Sequence, residues 1–150
     1  MPMDDDLDPE LDQRDVLLVE DDETEVELAL AAFRAHGLAH RVAVARDGVQ
    51  AMAWLAGLRT APRLVIADLR MPRMGGLDLL RQIREDRRFA HVPVVVLSSS
   101  RYADDLRESY RLGANSFVRK RFGAEHLSRS LVSVTKYWLD LNEISPGELE

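Results

Sequence analysis

The acids, the hydroxyl and the lysine that could handle phosphorus or a hard cation all stand where an apolar run stops. VLLV at 16–19 gives way to Glu20, Asp21 and Asp22, and RLVIA at 63–67 gives way to Asp68. VPVVVL at 92–97 is followed by Ser98, and SFVR at 116–119 by Lys120. Three carboxylates brought together repel one another, and some stay protonated unless a cation joins them. Oxygen-only ligands favour a hard ion, and Mg²⁺ is the natural candidate because it needs few protein ligands and keeps waters. Such an ion with an open face, a hydroxyl and an ammonium together describe a site for phosphoryl oxygens. Asp68 is then the nucleophile, forming an acyl phosphate. Taken singly, each residue is bland. An Asp ending a strand is usually a turn former or a helix cap. Lys120 is the least bland, because 18 of the 20 basic residues are Arg and a Lys supplies a compact point charge.

The chemistry requires these ends to converge, so the elements must be placed. Five short apolar runs recur, the four above and RVAVA at 41–45. VLLV, RLVIA and VPVVVL are continuous rather than alternating, as in strands covered on both faces. Between them the spacing is helical. Val26, Ala29, Leu30 and Phe33 share a face, as do Val49, Met52 and Leu55; Leu77, Leu80 and Ile83 form a third stripe, Leu106 and Tyr110 a shorter one. Asp22 and Asp47 are suited to cap helices, Gly37 and Gly113 to end them. The pattern βαβαβαβαβα implies a parallel sheet with helices on both sides. In such a sheet ligands bind beyond the carboxyl ends of the strands.

Composition narrows the classes. A chain of 150 residues, 46% apolar and with no Cys, predicts one soluble domain without disulfides or thiolate chemistry. No apolar run approaches the ~20 residues of a membrane span, and the acidic start MPMDDDLDPELDQRD is no signal peptide, so the expectation is a cytoplasmic protein. Residues 1–22 hold ten acids and one base, which leaves 16 acids and 19 bases in the remainder. The bases are scattered rather than striped, so no nucleic-acid partner is expected. The predicted organisation is an acidic leader at 1–14, one domain at 15–142 and a tail at 143–150.

The pieces LLVEDD, LVIADLRMPRMGGLDLLRQIR, VPVVVLSSS and GANSFVRK closely resemble a receiver domain of two-component response regulators. The acid-to-hydroxyl separation is 30 residues and the hydroxyl-to-lysine separation 22, as in that family. The resemblance implies a flavodoxin-like, doubly wound α/β fold. Its five-stranded parallel sheet would run in the order 2-1-3-4-5, with five helices, the last of them long. It implies Asp68 as phosphoacceptor and Asp21 as a direct Mg²⁺ ligand, with Glu20 orienting the ion. The backbone carbonyl of Arg70 would complete the metal shell, while Ser98 and Lys120 hold phosphoryl oxygens. Arg70 would also tune the lifetime of the acyl phosphate. The donor would be a phosphohistidine on a sensor histidine kinase. Ser98 and Phe117 stand at the two positions of the receiver switch, where the hydroxyl moves toward the phosphate and the aromatic turns inward. Phe117 is equally suited to be an ordinary core aromatic. Receivers commonly have Pro after the lysine, joined by a cis bond; here Arg121 follows, and a trans bond is expected.

The end of the chain carries its own signal. Leu127, Leu131, Val134, Trp138 and Leu141 follow 4-3-4-3 spacing, with Tyr137 extending the stripe. A helix from Gly123 to Asn142 would be ~30 Å long, more than one sheet needs for cover. Its aromatic end predicts a symmetric homodimer through Leu131, Val134, Tyr137, Trp138 and Leu141. YWLDLNEISP also resembles stand-alone receivers that partner bacterial phytochromes, and a stand-alone receiver acting by protein contacts or phosphorelay is the expectation. The alternative is a receiver-like binding module that works without phosphorylation, for which Arg121 is the best support. A hydrolase with an aspartyl nucleophile is disfavoured, since Arg70 stands where its second acid would be.

Overall fold

The computed structural model describes residues 14–121 and 123–143. The expected leader and tail lie almost wholly outside these residues. Strand β1 is Val16–Val19, helix α1 Glu23–Ala35, β2 Val42–Ala45 and α2 Gly48–Ala56. Then come β3 Leu64–Asp68, α3 Gly76–Glu85, β4 Val94–Ser98 and α4 Ala103–Arg111. Strand β5, Ser116–Arg119, is followed by α5, Ala124–Lys136, and a π turn over Tyr137–Leu141. All strand pairs are parallel, in the order β2-β1-β3-β4-β5. The doubly wound architecture is as the sequence predicts.

Alternation within the continuous apolar runs divides the core in two. Leu17, Val19, Val65 and Val96 face α2 and α3 and meet Leu55, Leu79, Leu80 and Ile83. Val16, Leu18, Ile66 and Val95 face the other way, onto Ala29 and Phe33 of α1 and Leu127 and Leu131 of α5. Each central strand is therefore apolar on both sides, and its first polar residue comes where the sheet runs out. The helix signals work locally. Asp22 and Asp47 accept from the backbone N–H groups of Glu25 and Gln50, three residues on, and Gly37 and Gly113 take positive φ just past helix ends.

Three expectations about faces fail. Val49 is 47% exposed, so α2 buries Ala51 beside the expected Leu55. Leu106 and Tyr110 are 36% and 49% exposed, and the residue α4 buries is Ser109, whose hydroxyl donates to the Asp105 carbonyl. The last helix is also not one regular rod. Gly123, at φ 101°, caps α5 rather than opening it, and the last turn widens into the π form. That extra residue per turn rotates the register. Leu127, Leu131, Thr135 and Leu139 face inward, Val134 and Trp138 are half-buried, and Leu141 is 73% exposed. Leu131 is thus part of the core under the sheet, not of an outer stripe. No described peptide bond is cis, so Lys120–Arg121 is trans, as expected.

Candidate functional site

The first acid follows directly from strand pairing. Glu20 continues β1 by donating its N–H to the Ala45 carbonyl, 3.0 Å away, which holds the residue at 4% exposure. Its carboxylate accepts the Asp22 N–H at 3.1 Å. Asp21, beside it, is exposed. Asp68 is the last residue of β3, and its carboxylate accepts the Leu69 N–H at 2.9 Å. Gly76 begins α3 so close below that a Cβ there would lie 2.2 Å from the Asp68 carbonyl oxygen. Only a residue without a side chain lets that helix start so near Asp68.

The other side of the site comes from β4 and β5. Ser98 ends β4 at 2% exposure, and its hydroxyl oxygen accepts the Ser100 N–H at 3.0 Å. Its carbonyl accepts the Lys120 N–H at 2.8 Å, so hydroxyl and ammonium leave adjacent rungs of one ladder. The ammonium of Lys120 reaches Glu25 at 2.6 Å, Glu20 at 2.9 Å and Asp68 at 3.5 Å. Ligand oxygens of Glu20, Asp21 and Asp68 lie within 4.8 Å of one another.

Three carboxylates face one ammonium with a fourth, Asp21, nearby, and the electrostatics register the imbalance. Burial, then the neighbouring Asp68 charge, push Glu20 up to about 7 against the pull of Lys120 and the Asp22 N–H. Burial also raises Asp68, with Lys120 opposing. Burial pulls Lys120 down, but Asp68, Glu25 and Glu20 outweigh it and hold the ammonium above its ordinary range. A net negative cluster built only of oxygen ligands and half open to water fits a hard divalent cation. Glu20, Asp21 and Asp68 are the residues that would hold it.

Residues 16–132 match the family described as response regulator receiver domain. The chain belongs to that family. It is 39% identical over 136 residues, 88% of this chain and 87% of the relative, to the probable methanogenesis regulatory protein FilR2 of Methanothrix harundinacea. It is 30% identical over 130 residues to the response regulator Rcp1 of Synechocystis, covering 83% and 88% of the two chains. Among solved structures, the phosphorylated cyanobacterial phytochrome response regulator RcpA superposes with a TM-score of 0.80 at 30% identity, covering 88% of this chain and 98% of RcpA. A structure of Rcp1 with Mn²⁺ bound gives 0.77 at 28% identity, covering 87% of this receiver and 97% of Rcp1. Receiver domains bind a divalent metal, accept phosphoryl groups from histidine kinases and signal through that change. This receiver is a signalling protein of that kind. None of its described helices is long and apolar enough to cross a membrane.

The remaining candidates divide between the surroundings of the receiver's acidic centre and the opposite end of the sheet. Arg70 is exposed and ion-paired at 2.9 Å to Asp105 of α4, which also accepts a hydrogen bond from the Ser100 hydroxyl. Phe117 is half-buried against the α2–α3 side of the core, and its N–H donates to the Tyr110 hydroxyl at 3.2 Å. Tyr137 and Leu141 are exposed at the far end of α5, with Trp138 edge-on to Tyr137 at 5.1 Å. A groove of about 690 Å³ opens beside Lys120, with Arg101, Arg119 and Arg121 on its walls. The residue that sequence reasoning missed is Glu25. Its sequence signal points elsewhere: Asp22 caps α1, and the third residue of a capped helix ordinarily turns back to the cap.

Proposed function

We propose that this receiver takes a phosphoryl group from a sensor histidine kinase onto Asp68, with Mg²⁺ held by Glu20, Asp21, Asp68 and the Arg70 carbonyl. The convergence of Asp68, Ser98 and Lys120 on the acid cluster supports this reading above any other observation. A carboxylate oxygen of Asp68 attacks phosphorus as the bond to the donor imidazole nitrogen breaks, and the imidazole keeps the electron pair. Bound Mg²⁺ supplies positive charge to the transferring oxygens. Lys120 neutralises a second oxygen, and the Ser98 hydroxyl donates to another. Arg101, Arg119 and Arg121, on the neighbouring groove, give the approach a positive field. Arg70, held toward α4 by Asp105, leaves the acceptor open to water, which ends the signal by hydrolysis.

The output in this reading is a changed protein contact. Ser98 follows the phosphoryl group, and Phe117 repacks behind it. A homodimer through Tyr137, Trp138 and Leu141, with Val134 at the margin, is supported by the exposed apolar end of the last helix. The likeness to RcpA and Rcp1 favours a bacterial phytochrome as the kinase and the cytoplasm as the place.

Incubation with Mg²⁺ and a small acyl phosphate is expected to add one phosphoryl group per chain by intact mass, and Asp68→Asn to abolish it. A label that survives in Asp68→Asn overturns the acceptor assignment. A wild-type chain that neither gains mass nor changes its contacts with beryllium fluoride is instead a binding module. Light scattering of the wild type and Leu141→Asp tests the dimer.

A further inference from the structure

We infer that Glu25 is a competing counter-ion for Lys120, holding the ammonium back from Asp68 and so setting how tightly the site takes a phosphoryl group. The inference rests on the phosphoacceptor reading above and adds a regulator to it. It starts from a local departure at the helix cap. Asp22 caps α1 and Glu25 is the third helical residue, a pattern in which the acid ordinarily reaches back to the cap's N–H. Here the Asp22 N–H is already taken by the Glu20 carboxylate, at 3.1 Å. The Glu25 carboxylate is left without that donor and turns across the site to Lys120.

Its contact is the shortest of the three that Lys120 makes, 2.6 Å against 2.9 Å to Glu20 and 3.5 Å to Asp68. Lys120 donates to Glu20 and is ion-paired with Glu25 and Asp68, so three carboxylates crowd the three N–H donors of its ammonium. An incoming phosphoryl group must draw the ammonium to itself, so the pull of one present partner must give way. Glu20 belongs with Asp21 and Asp68 in the oxygen cluster suited to a cation; Glu25 does not. Lys120 is the one ion-pair partner of Glu25 among the described residues. Glu25 also stands on the wall of the open groove, so its grip draws Lys120 to the groove side, away from Asp68. That pull opposes phosphoryl binding, and it does not require Glu25 to touch the reacting atoms. Glu25 is a positioning residue.

The test uses beryllium fluoride in excess Mg²⁺, titrated by calorimetry into the full chain and its variants. Glu25→Gln keeps the shape and removes the charge. It is expected to bind the mimic on the order of tenfold more tightly than the wild type, the scale of one partly screened charge a few ångströms away. Glu25→Asp retracts the carboxylate without removing it and is expected to fall between the two. In a Lys120→Ala background the Glu25→Gln gain should vanish, a coupling that a merely structural role for Glu25 would not produce. Unchanged or weaker binding by a folded Glu25→Gln overturns the inference, as does a gain that persists without Lys120. If Glu25→Gln does not fold, Glu25→Ala is put through the same titration and judged by the same outcomes. Failure of the wild type itself to bind the mimic overturns the phosphoacceptor reading, and this inference with it.

Discussion

The two ends of the parallel sheet each hold a half-buried cation, and they do so in opposite ways. At the amino end, Arg84 of α3 donates to the carbonyls of Ala90, Val92 and Gly113 and to the Asn115 side chain. The partners are neutral and fixed, and burial simply pulls the guanidinium below its usual range. At the carboxyl end, Lys120 faces three carboxylates with a fourth, Asp21, nearby. The first arrangement is complete in itself, since every partner is a dipole that wants nothing further. The second carries surplus negative charge that only an outside cation or a proton relieves. Polar burial that stabilises and polar burial that reacts are thus separated by the length of the strands.

The sharpest way to break this contrast is to remove each cation in turn. Arg84→Ala takes the donor from the Ala90, Val92 and Gly113 carbonyls and is expected to cost about 3 kcal/mol. Melting should fall by about 6–12 °C at any pH, with or without Mg²⁺. Lys120→Met is expected to cost about 2 kcal/mol in metal-free buffer at pH 8, where the acids are charged, and much less at pH 5. Added Mg²⁺ should restore part of that loss. Denaturation curves at both pH values decide the matter, and equal pH dependence in the two variants would break the contrast.

The wild type provides a gentler version. Glu20 is raised in the fold from 4.5 to about 7, and Asp68 is raised as well. A carboxyl raised on folding favours the folded state below its unfolded value, and that advantage is lost as pH climbs through the folded value. Metal-free protein should therefore melt progressively lower between pH 4.5 and pH 7. Excess Mg²⁺ should flatten the slope by supplying the missing positive charge. The smallest effect belongs to the edge of the sheet. Tyr110→Phe removes the acceptor for the Phe117 N–H and should cost about 0.5–1 kcal/mol, with faster hydrogen exchange at Phe117.

Much of this was legible before any coordinates. The strands announce themselves because continuous Val, Leu and Ile runs suit a sheet covered on both faces. Asp68, Ser98 and Lys120 stand out because an ionisable or hydroxyl group ending such a run has somewhere specific to be. What escaped did so for physical reasons. Glu25 looks like one more surface acid of a helix first turn, and its diversion depends on Glu20 having claimed the cap N–H first. Leu139, which the stripe did not include, is the residue the last turn buries, because periodicity arguments assume 3.6 residues per turn and the π turn departs from that. Leu106 and Tyr110 have helical spacing, but α4 has little apolar surface elsewhere and uses Ser109 to approach the core.

One ladder contact has a reach beyond its size. Because the Lys120 peptide hangs from the Ser98 carbonyl, the hydroxyl and the ammonium share one main-chain anchor. A displacement of either backbone is delivered to the other, so under the proposed function the two groups would answer an arriving anion together.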